Sequence, residues 1–111
     1  MVPTNKQSAC EFCDIAVGSS PARIRHEEKD LIVFHNLLDW LPTMLLIIPR
    51  AHMTQRVFWT SQLFLRASRL AIELGLQDCP YGFRILSNFG IDALQTQKHG
   101  HIHLIGGAPM G

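Results

Sequence analysis

One segment near the C-terminal end reads His-Gly-His-Ile-His-Leu-Ile and holds half of the six histidines in the chain. Successive side chains of a β-strand point to opposite faces of its sheet. The alternation therefore predicts a strand with His99, His101 and His103 on one face, while Ile102 and Leu104 point into the core. Neighbouring imidazoles on such a face lie about 6.6 Å apart. Since the ordinary pKa of histidine is about 6.5, this face would be chemically reactive near neutral pH.

Other hydrophobic patterns predict the elements around this strand. Residues 31–34 and 44–48 are short apolar runs bounded by polar residues or proline, which is typical of buried strands. Pro49 closes the second run, because it has no N–H to contribute to a strand ladder. Apolar residues at steps of three and four over residues 63–74 predict one long helix, with Gly75 as its left-handed C-terminal cap. Strands paired in sequence around one helix indicate an α+β domain with a mostly antiparallel sheet.

Length and composition limit the class of protein. A chain of 111 residues can bury about two thirds of its surface around one core. We therefore expect a flexible polar N-terminus over residues 1–9 and a single domain over residues 10–111. With 47% hydrophobic and 17% charged residues, the chain is not of the disordered class.

Charge and cysteine content exclude several partners and compartments. The formal net charge is +1 and the basic residues are scattered, so we expect no nucleic-acid partner. The apolar runs are too short to span a bilayer, and the first residues lack the apolar stretch of a secretory signal. Three cysteines, an odd number, do not form a disulfide framework. We therefore expect a cytoplasmic protein with no membrane partner.

The histidine face allows three interpretations. It could be the solvated face of an edge strand, or a metal site, since two histidines of one strand can bind one ion. It could also serve nucleophilic catalysis, with one imidazole attacking phosphorus while its neighbours orient the phosphoryl oxygens. The nearby carboxylate is Asp92, whereas Gln95 and Thr96 are better suited to hydrogen-bond an oxyanion.

The chain resembles the histidine triad (HIT) family, whose motif is His-φ-His-φ-His-φ-φ with φ apolar. Several further segments resemble the family in the expected order: Cys10-Glu-Phe-Cys13, Phe34-His-Asn-Leu37, Leu46-Ile-Ile-Pro49-Arg-Ala-His52, Asn88-Phe-Gly90 and Gln95-Thr96. This resemblance implies a HIT-like α+β fold with a five-stranded antiparallel sheet, one long and one short helix, and assembly as a homodimer. The short length and the Gly106-Gly107 ending favour the Hint-like branch of nucleoside phosphoramidate hydrolases.

The resemblance also implies a mechanism. His101 would attack the α-phosphorus of a purine nucleoside 5′-phosphoramidate or related ester, and water would then release the nucleoside monophosphate. His103 would hold phosphoryl oxygens and His99 would belong to the orienting network, with no metal or other cofactor required for the chemistry. Of the substrate-binding residues, Phe34 and Leu37 would flank the base and Asn36 would contact the ribose. Asn88 and Thr96 would contact the phosphate, and Gln95 would lie close to the leaving group.

Several positions depart from the family pattern and keep alternative functions open. Asn36 stands where aspartate is common, Met44 where many relatives have a further histidine, and Gly100 where an apolar residue is usual. We expect slower catalysis from these departures and a looser core contact at Gly100. The alternatives are a dinucleoside polyphosphate hydrolase, since residues 95–99 read Gln-Thr-Gln-Lys-His, and a nucleotide-binding module with little turnover.

A zinc site is predicted at the other end of the triad. The pair Cys10-x-x-Cys13 is half of a tetrahedral site, and two histidines would complete it. By resemblance to HIT proteins that bind structural zinc, the ligands would be Cys10, Cys13, His52 and His99. The alternative is a pair of buried thiols beside an exposed His52.

Overall fold

Within residues 10–110, which the computed structural model describes, five strands form one antiparallel sheet in the order β1-β2-β3-β5-β4. The expectation of a flexible N-terminus over residues 1–9 falls outside the described residues. The strands are β1 (Ile24–Glu27), β2 (Leu31–His35), β3 (Thr43–Pro49), β4 (Phe83–Leu86) and β5 (Ile102–Gly106). The helices are α1 (Glu11–Ala16), α2 (Gln55–Trp59) and α3 (Gln62–Asp78), with a 3₁₀ turn at Ile91–Ala93. The α+β class and the five-stranded antiparallel sheet are confirmed.

Strands β2 and β3 are apolar over residues 31–34 and 44–48 because both faces of the sheet are covered there. One face packs against α3 and the other against α1. Successive residues therefore alternate between two cores rather than between core and solvent. The α3 side receives Leu31, Val33, Leu45 and Ile47, and the α1 side receives Ile32, Phe34, Leu46 and Ile48.

The long helix is confirmed, but the prediction that Gly75 caps it is wrong. Helix α3 continues to Asp78, and Gly75 lies within it. A Cβ atom at Gly75 would lie 2.6 Å from the ring of Phe83. The glycine therefore lets the helix approach β4 closely, a packing role that the local sequence pattern did not indicate. The structure also adds the short helix α2 to the one long and one short helix expected, with the Thr54 side chain accepting the Val57 N–H at its start.

The expectation of a looser core contact at Gly100 is wrong as well. A Cβ atom there would lie 2.7 Å from the Cβ of Phe58, whose side chain is fully buried. The Gly100 N–H donates to the carbonyl of Met53 at 2.7 Å. Gly100 is thus a point of close contact, where the main chain lies directly on the Phe58 side chain.

The histidines face the α1 side of the sheet, as the alternation predicted. Ile102 and Leu104 lie in the core beneath α3. On the opposite side, the Phe12 ring contacts the rings of His101 and His99, with centroid distances of 5.4 and 5.9 Å. Strand β5 begins only at Ile102, so His99 and His101 precede it. Among the helices of residues 10–110, none has the length and apolar character needed to cross a membrane.

Candidate active site and metal centre

Four side chains from three segments converge into what we call the Cys/His cluster: Cys10, Cys13, His52 and His99. Their ligand atoms all lie within 4.8 Å of one another. The Nδ1 atom of His52 lies 3.5 Å from Cys10 Sγ and 3.2 Å from Cys13 Sγ, and the Nδ1 atom of His99 lies 3.5 and 3.4 Å from the same sulfurs. A tetrahedral zinc ion with ordinary bond lengths places sulfur and nitrogen about 3.5 Å apart. The cluster therefore fits one tetrahedral ion.

Local structure explains how these ligands come together. Cys10 is the N-cap residue of α1, and its Sγ accepts the Cys13 N–H at 3.3 Å, so the first turn of the helix brings the two sulfurs side by side. The Nε2 atom of His99 lies 2.7 Å from the Pro49 carbonyl oxygen. A carbonyl can only accept, so Nε2 carries the proton and Nδ1 presents its lone pair to the sulfurs.

The electrostatics of the cluster favour a bound cation. Burial, the largest cause, together with the neighbouring Cys10 and Asp14 raises the pKa of Cys13 to about 12. Burial also lowers the pKa of His99, with the charges of His52 and His101 adding to the effect and the Pro49 carbonyl opposing it. Two cysteine sulfurs and two imidazole nitrogens are the donor set of a soft divalent metal, whose charge would stabilise the thiolates.

His101 presents the opposite ring nitrogen. Its side chain is 3% exposed, and its Nδ1 lies 2.8 Å from the carbonyl oxygen of His99. Nδ1 must therefore donate, which leaves the lone pair on Nε2. Burial lowers the pKa of His101, because desolvation outweighs the hydrogen bond to His99. The ring is neutral at pH 7 and able to act as a nucleophile.

His103 lies beside His101 as a second neutral ring. The two ring centroids are 5.0 Å apart, closer than the about 6.6 Å repeat of an extended strand. Burial, the larger cause, and the charge of His101 together lower the pKa of His103 to about 4. The pair can therefore offer one imidazole as a nucleophile and its neighbour as a neutral hydrogen-bond donor.

Both rings line a cavity of about 300 Å³ that we call the His101 cavity. This volume lies at the lower end of the range for small-molecule sites. The cavity combines an apolar wall with a few polar groups, as such sites do. The apolar wall includes Phe12, Ile15, Phe34 and Leu46, and the polar groups include Arg23, His35, Asn36, Thr96, His101 and His103.

Four of the predicted substrate-binding residues lie in the cavity wall: Phe34, Asn36, Leu37 and Thr96. The Leu37 side chain is 98% exposed, which places it at the open side of the cavity. The side-chain oxygen of Asn36 accepts the N–H of Leu38 at 3.1 Å. The amide NH₂ of Asn36 and the second lone pair of its oxygen then remain for a ligand.

The other two predicted substrate-binding residues, Asn88 and Gln95, are not in the cavity wall. Gln95 accepts the Gly90 N–H at 2.8 Å and donates to the Gln97 carbonyl at 2.9 Å. The main-chain carbonyl of Asn88 accepts a hydrogen bond from the Gln55 side chain at 2.9 Å. In this structure both residues fix the loop that precedes the histidines.

Helix α1 and Gln55 contribute to this region in addition to the residues that the sequence indicated. Helix α1 supplies Phe12 and Ile15 to the apolar wall, and their spacing of three residues beside Cys10 was the available signal. Gln55 contacts the main chain of His101, and no pattern in its own segment indicated this contact.

Comparison with known proteins connects this geometry with one family. The family model for the HIT domain matches residues 17–110, a range that begins after both cysteines of the cluster. Protein HitA of Neisseria gonorrhoeae is 30% identical, over 87% of this chain and 94% of that protein. The HIT family hydrolase of Legionella pneumophila Philadelphia 1 superposes with a TM-score of 0.84 at 32% identity, covering 92% of this chain and 96% of the other. A HIT family hydrolase from Clostridium thermocellum gives a TM-score of 0.82 at 30% identity, covering 92% and 93%.

Proposed function

The chain belongs to the HIT family, and from that premise we propose that it hydrolyses purine nucleoside 5′-phosphoramidates or related nucleotidyl esters. The observation that carries this proposal is the hydrogen bond from His101 Nδ1 to the His99 carbonyl, at 2.8 Å. It leaves an unprotonated Nε2 on a neutral ring in the wall of a cavity suited to a small molecule.

In the first step, His101 Nε2 attacks the α-phosphorus and the P–N bond of the phosphoramidate breaks. The amine leaves with the bonding electron pair and takes up a proton from solvent. The imidazole becomes positively charged, and the His99 carbonyl stabilises that charge through the Nδ1–H hydrogen bond. The product is a nucleotidyl-histidine.

In the second step, a water oxygen attacks the same phosphorus and the bond from phosphorus to His101 Nε2 breaks. The electron pair returns to the imidazole, the water proton passes to solvent, and the nucleoside monophosphate leaves. His103 donates an N–H to a phosphoryl oxygen in both steps, which a neutral ring does from one of its two nitrogens. His99 holds the nucleophile in its tautomer through its carbonyl.

The remaining wall residues bind the nucleoside and phosphate. Phe34 and Leu37 would hold the base against the apolar wall, while the Asn36 amide donates to a ribose hydroxyl. The Thr96 hydroxyl would donate to the phosphate. Asn88 and Gln95 would reach the phosphate and leaving group by a rearrangement of their loop on binding.

We also propose that the Cys/His cluster holds a structural zinc ion, which the chemistry at His101 does not require. Support comes from the S₂N₂ donor set, since tetrahedral sites of this type favour zinc. The ion would stabilise the fold by linking α1, the segment after β3 and the segment before β5.

The proposal extends to assembly and location. Strand β4 is an edge strand with Ile85 exposed, and α3 exposes Leu65, Ile72 and Leu76, which supports a homodimer that covers this surface. Three free cysteines support action in the reducing cytoplasm, with residues 10–111 as one domain. Sedimentation velocity should give the mass of two chains, and the mass of a single chain would contradict the dimer.

The test of function is steady-state hydrolysis of adenosine 5′-phosphoramidate, measured beside diadenosine tri- and tetraphosphate. We expect the phosphoramidate to be cleaved fastest, with turnover lost in His101→Asn. Trapping of a labelled nucleotidyl adduct in His101→Ala would contradict the assignment of the nucleophile. Preference for the dinucleotides would favour a dinucleoside polyphosphate hydrolase, and AMP binding without turnover of any substrate would favour a binding module.

A further inference from the structure

Gln55 is a buried polar residue whose amide is fully used. It is the first residue of α2 and is 1% exposed. Its Oε1 accepts the His101 N–H at 2.9 Å, and its Nε2 lies 3.2 Å from the His101 carbonyl. The same Nε2 lies 3.0 Å from Ser87 Oγ and 2.9 Å from the Asn88 carbonyl. One side chain therefore joins α2, the end of β4 and the main chain of His101.

These contacts replace a strand ladder that His101 lacks. Strand β5 begins at Ile102, whose partner in β3 is Ile47. The N–H of His101 lies before that ladder and is held by Gln55 instead. The Ser87 hydroxyl adds a second donor to the His101 carbonyl, at 2.7 Å. Both polar groups of the His101 main chain are thus fixed by side chains.

The main chain at His101 determines where its ring points. The Nδ1–H donates to the carbonyl of His99, only two residues upstream. This hydrogen bond forms only over a narrow range of main-chain torsion angles at residues 99–101. A change in the main chain of His101 would therefore release the ring and free the other tautomer.

We propose that Gln55 is a positioning residue, which clamps the main chain of His101 through its side-chain amide and so keeps Nε2 of that ring aimed into the cavity. This proposal depends on the proposed function only for the predicted change in rate. The effect of Gln55 on the tautomer of the His101 ring can be measured without turnover. Burying an amide at this position is unfavourable unless all its hydrogen bonds are made. A residue needed only to fill the space could be apolar.

The principal variant is Gln55→Met, which keeps the length of the side chain and removes its hydrogen bonds. We expect kcat for adenosine 5′-phosphoramidate to fall about 10²-fold, since small displacements of a reacting group have effects of that size. We expect KM and the dissociation constant of AMP to change less than about threefold, because the interaction lost is one that matters in the transition state.

The matched control is Thr43→Val, which removes another buried polar group of the sheet. Thr43 is 8% exposed and pairs with Gly106, at the end of β3 away from Ile47. The control should lose stability while keeping kcat within about threefold of the natural chain. An equal fall in kcat in both variants would overturn the proposal, because a general loss of stability would then explain it.

The second readout is the tautomer of His101, followed by ¹⁵N chemical shifts of the imidazole in the metal-loaded protein. The natural chain and Thr43→Val should show only the Nδ1–H form, and Gln55→Met a mixture of both forms. A single unchanged tautomer in Gln55→Met, or an Nε2–H ring in the natural chain, would overturn the clamp. Absence of all turnover would instead count against the proposed function, and the tautomer measurement would still test Gln55.

Should Gln55→Met fail to fold, Ser87→Ala supplies the test, because it removes both the second donor to the His101 carbonyl and one of the acceptors that hold the Gln55 amide. Loss of these neutral hydrogen bonds predicts a fall in kcat of about threefold to tenfold, again with a partial change of tautomer. No change in either quantity would contradict the clamp.

Discussion

The Cys/His cluster and the His101 cavity meet at Gly100, and the histidines on either side of that glycine differ in one respect. Both rings are buried, and burial lowers the pKa of each. His99 donates from Nε2 to the Pro49 carbonyl and offers Nδ1 to the sulfurs, whereas His101 donates from Nδ1 to the His99 carbonyl and leaves Nε2 free. The carbonyl partner of each ring therefore decides which nitrogen carries the lone pair, Nδ1 beside the sulfurs for His99 and Nε2 for His101.

Of the changes that test this difference between the two histidines, His101→Asn should have the largest effect. We expect turnover of adenosine 5′-phosphoramidate to fall by at least about 10³-fold, since loss of a covalent nucleophile has effects of this size or larger. Metal content should stay unchanged, because the ligands lie on the other side of Gly100. The matched control is His26→Asn, a partly exposed histidine paired with Glu28 outside the cavity. If His101→Asn lost about tenfold or less of the turnover of the control, the assignment of the nucleophile to His101 would be contradicted.

The reciprocal change is Cys10→Ser combined with Cys13→Ser. Metal analysis should fall from near one ion per chain to almost none, because a tetrahedral site needs all four ligands. The melting temperature should fall on the order of 10 °C or more, since metal binding contributes directly to folding. The control is Cys79→Ser, which alters a buried cysteine outside the cluster and should keep its metal. Unchanged metal content in the double variant would remove the four-ligand proposal.

Gly100→Ala tests whether the two regions depend on the same close contact. The added Cβ would lie 2.7 Å from the Phe58 Cβ, and overpacking of this kind lowers the free energy of unfolding by about 1–3 kcal/mol. Denaturant unfolding measures the loss, and a double-mutant cycle with Phe58→Leu should show that the two changes are coupled. Strictly additive effects would mean that Gly100 does not contact Phe58 in solution.

The smallest effect concerns His103 and pH. Its pKa in the folded protein is about 4, against an ordinary value of 6.5. Between these two values the unfolded chain binds a proton that the folded chain does not. This group therefore lowers the free energy of unfolding as the pH falls from 6.5 to 4, and has no effect above 6.5. Denaturant unfolding should show a shallower acid slope for His103→Gln than for the natural chain, and equal slopes would contradict the lowered pKa.

Sequence patterns predicted the elements whose signals are local. The apolar runs of β2 and β3 and the periodicity of α3 lie within single segments, and the structure confirms these elements. The sequence patterns did not predict β1, an edge strand whose polar residues and irregular register with β2 give no regular alternation. Gly75 and Gly100 were misjudged because their roles depend on Phe83 and Phe58, which are distant in sequence.

The candidate site divides in the same way. The alternation of histidines and the Cys-x-x-Cys spacing identified the groups that come together, because both are short-range patterns. Gln55 could not be found in this way, since its partner His101 is 46 residues away. A buried amide becomes informative only when the groups that satisfy it are known.

By itself, the sequence determined the buried strands β2 and β3, the common face of the histidines and the chemical types available to a metal or a phosphate. Only the tertiary structure decided which nitrogen each ring presents. The Pro49 carbonyl that fixes His99 is 50 residues away in the chain, and the main chain that fixes His101 is itself held by Gln55. A neutral imidazole has one proton and two positions for it, and the nearest acceptor in the folded chain determines which position is filled.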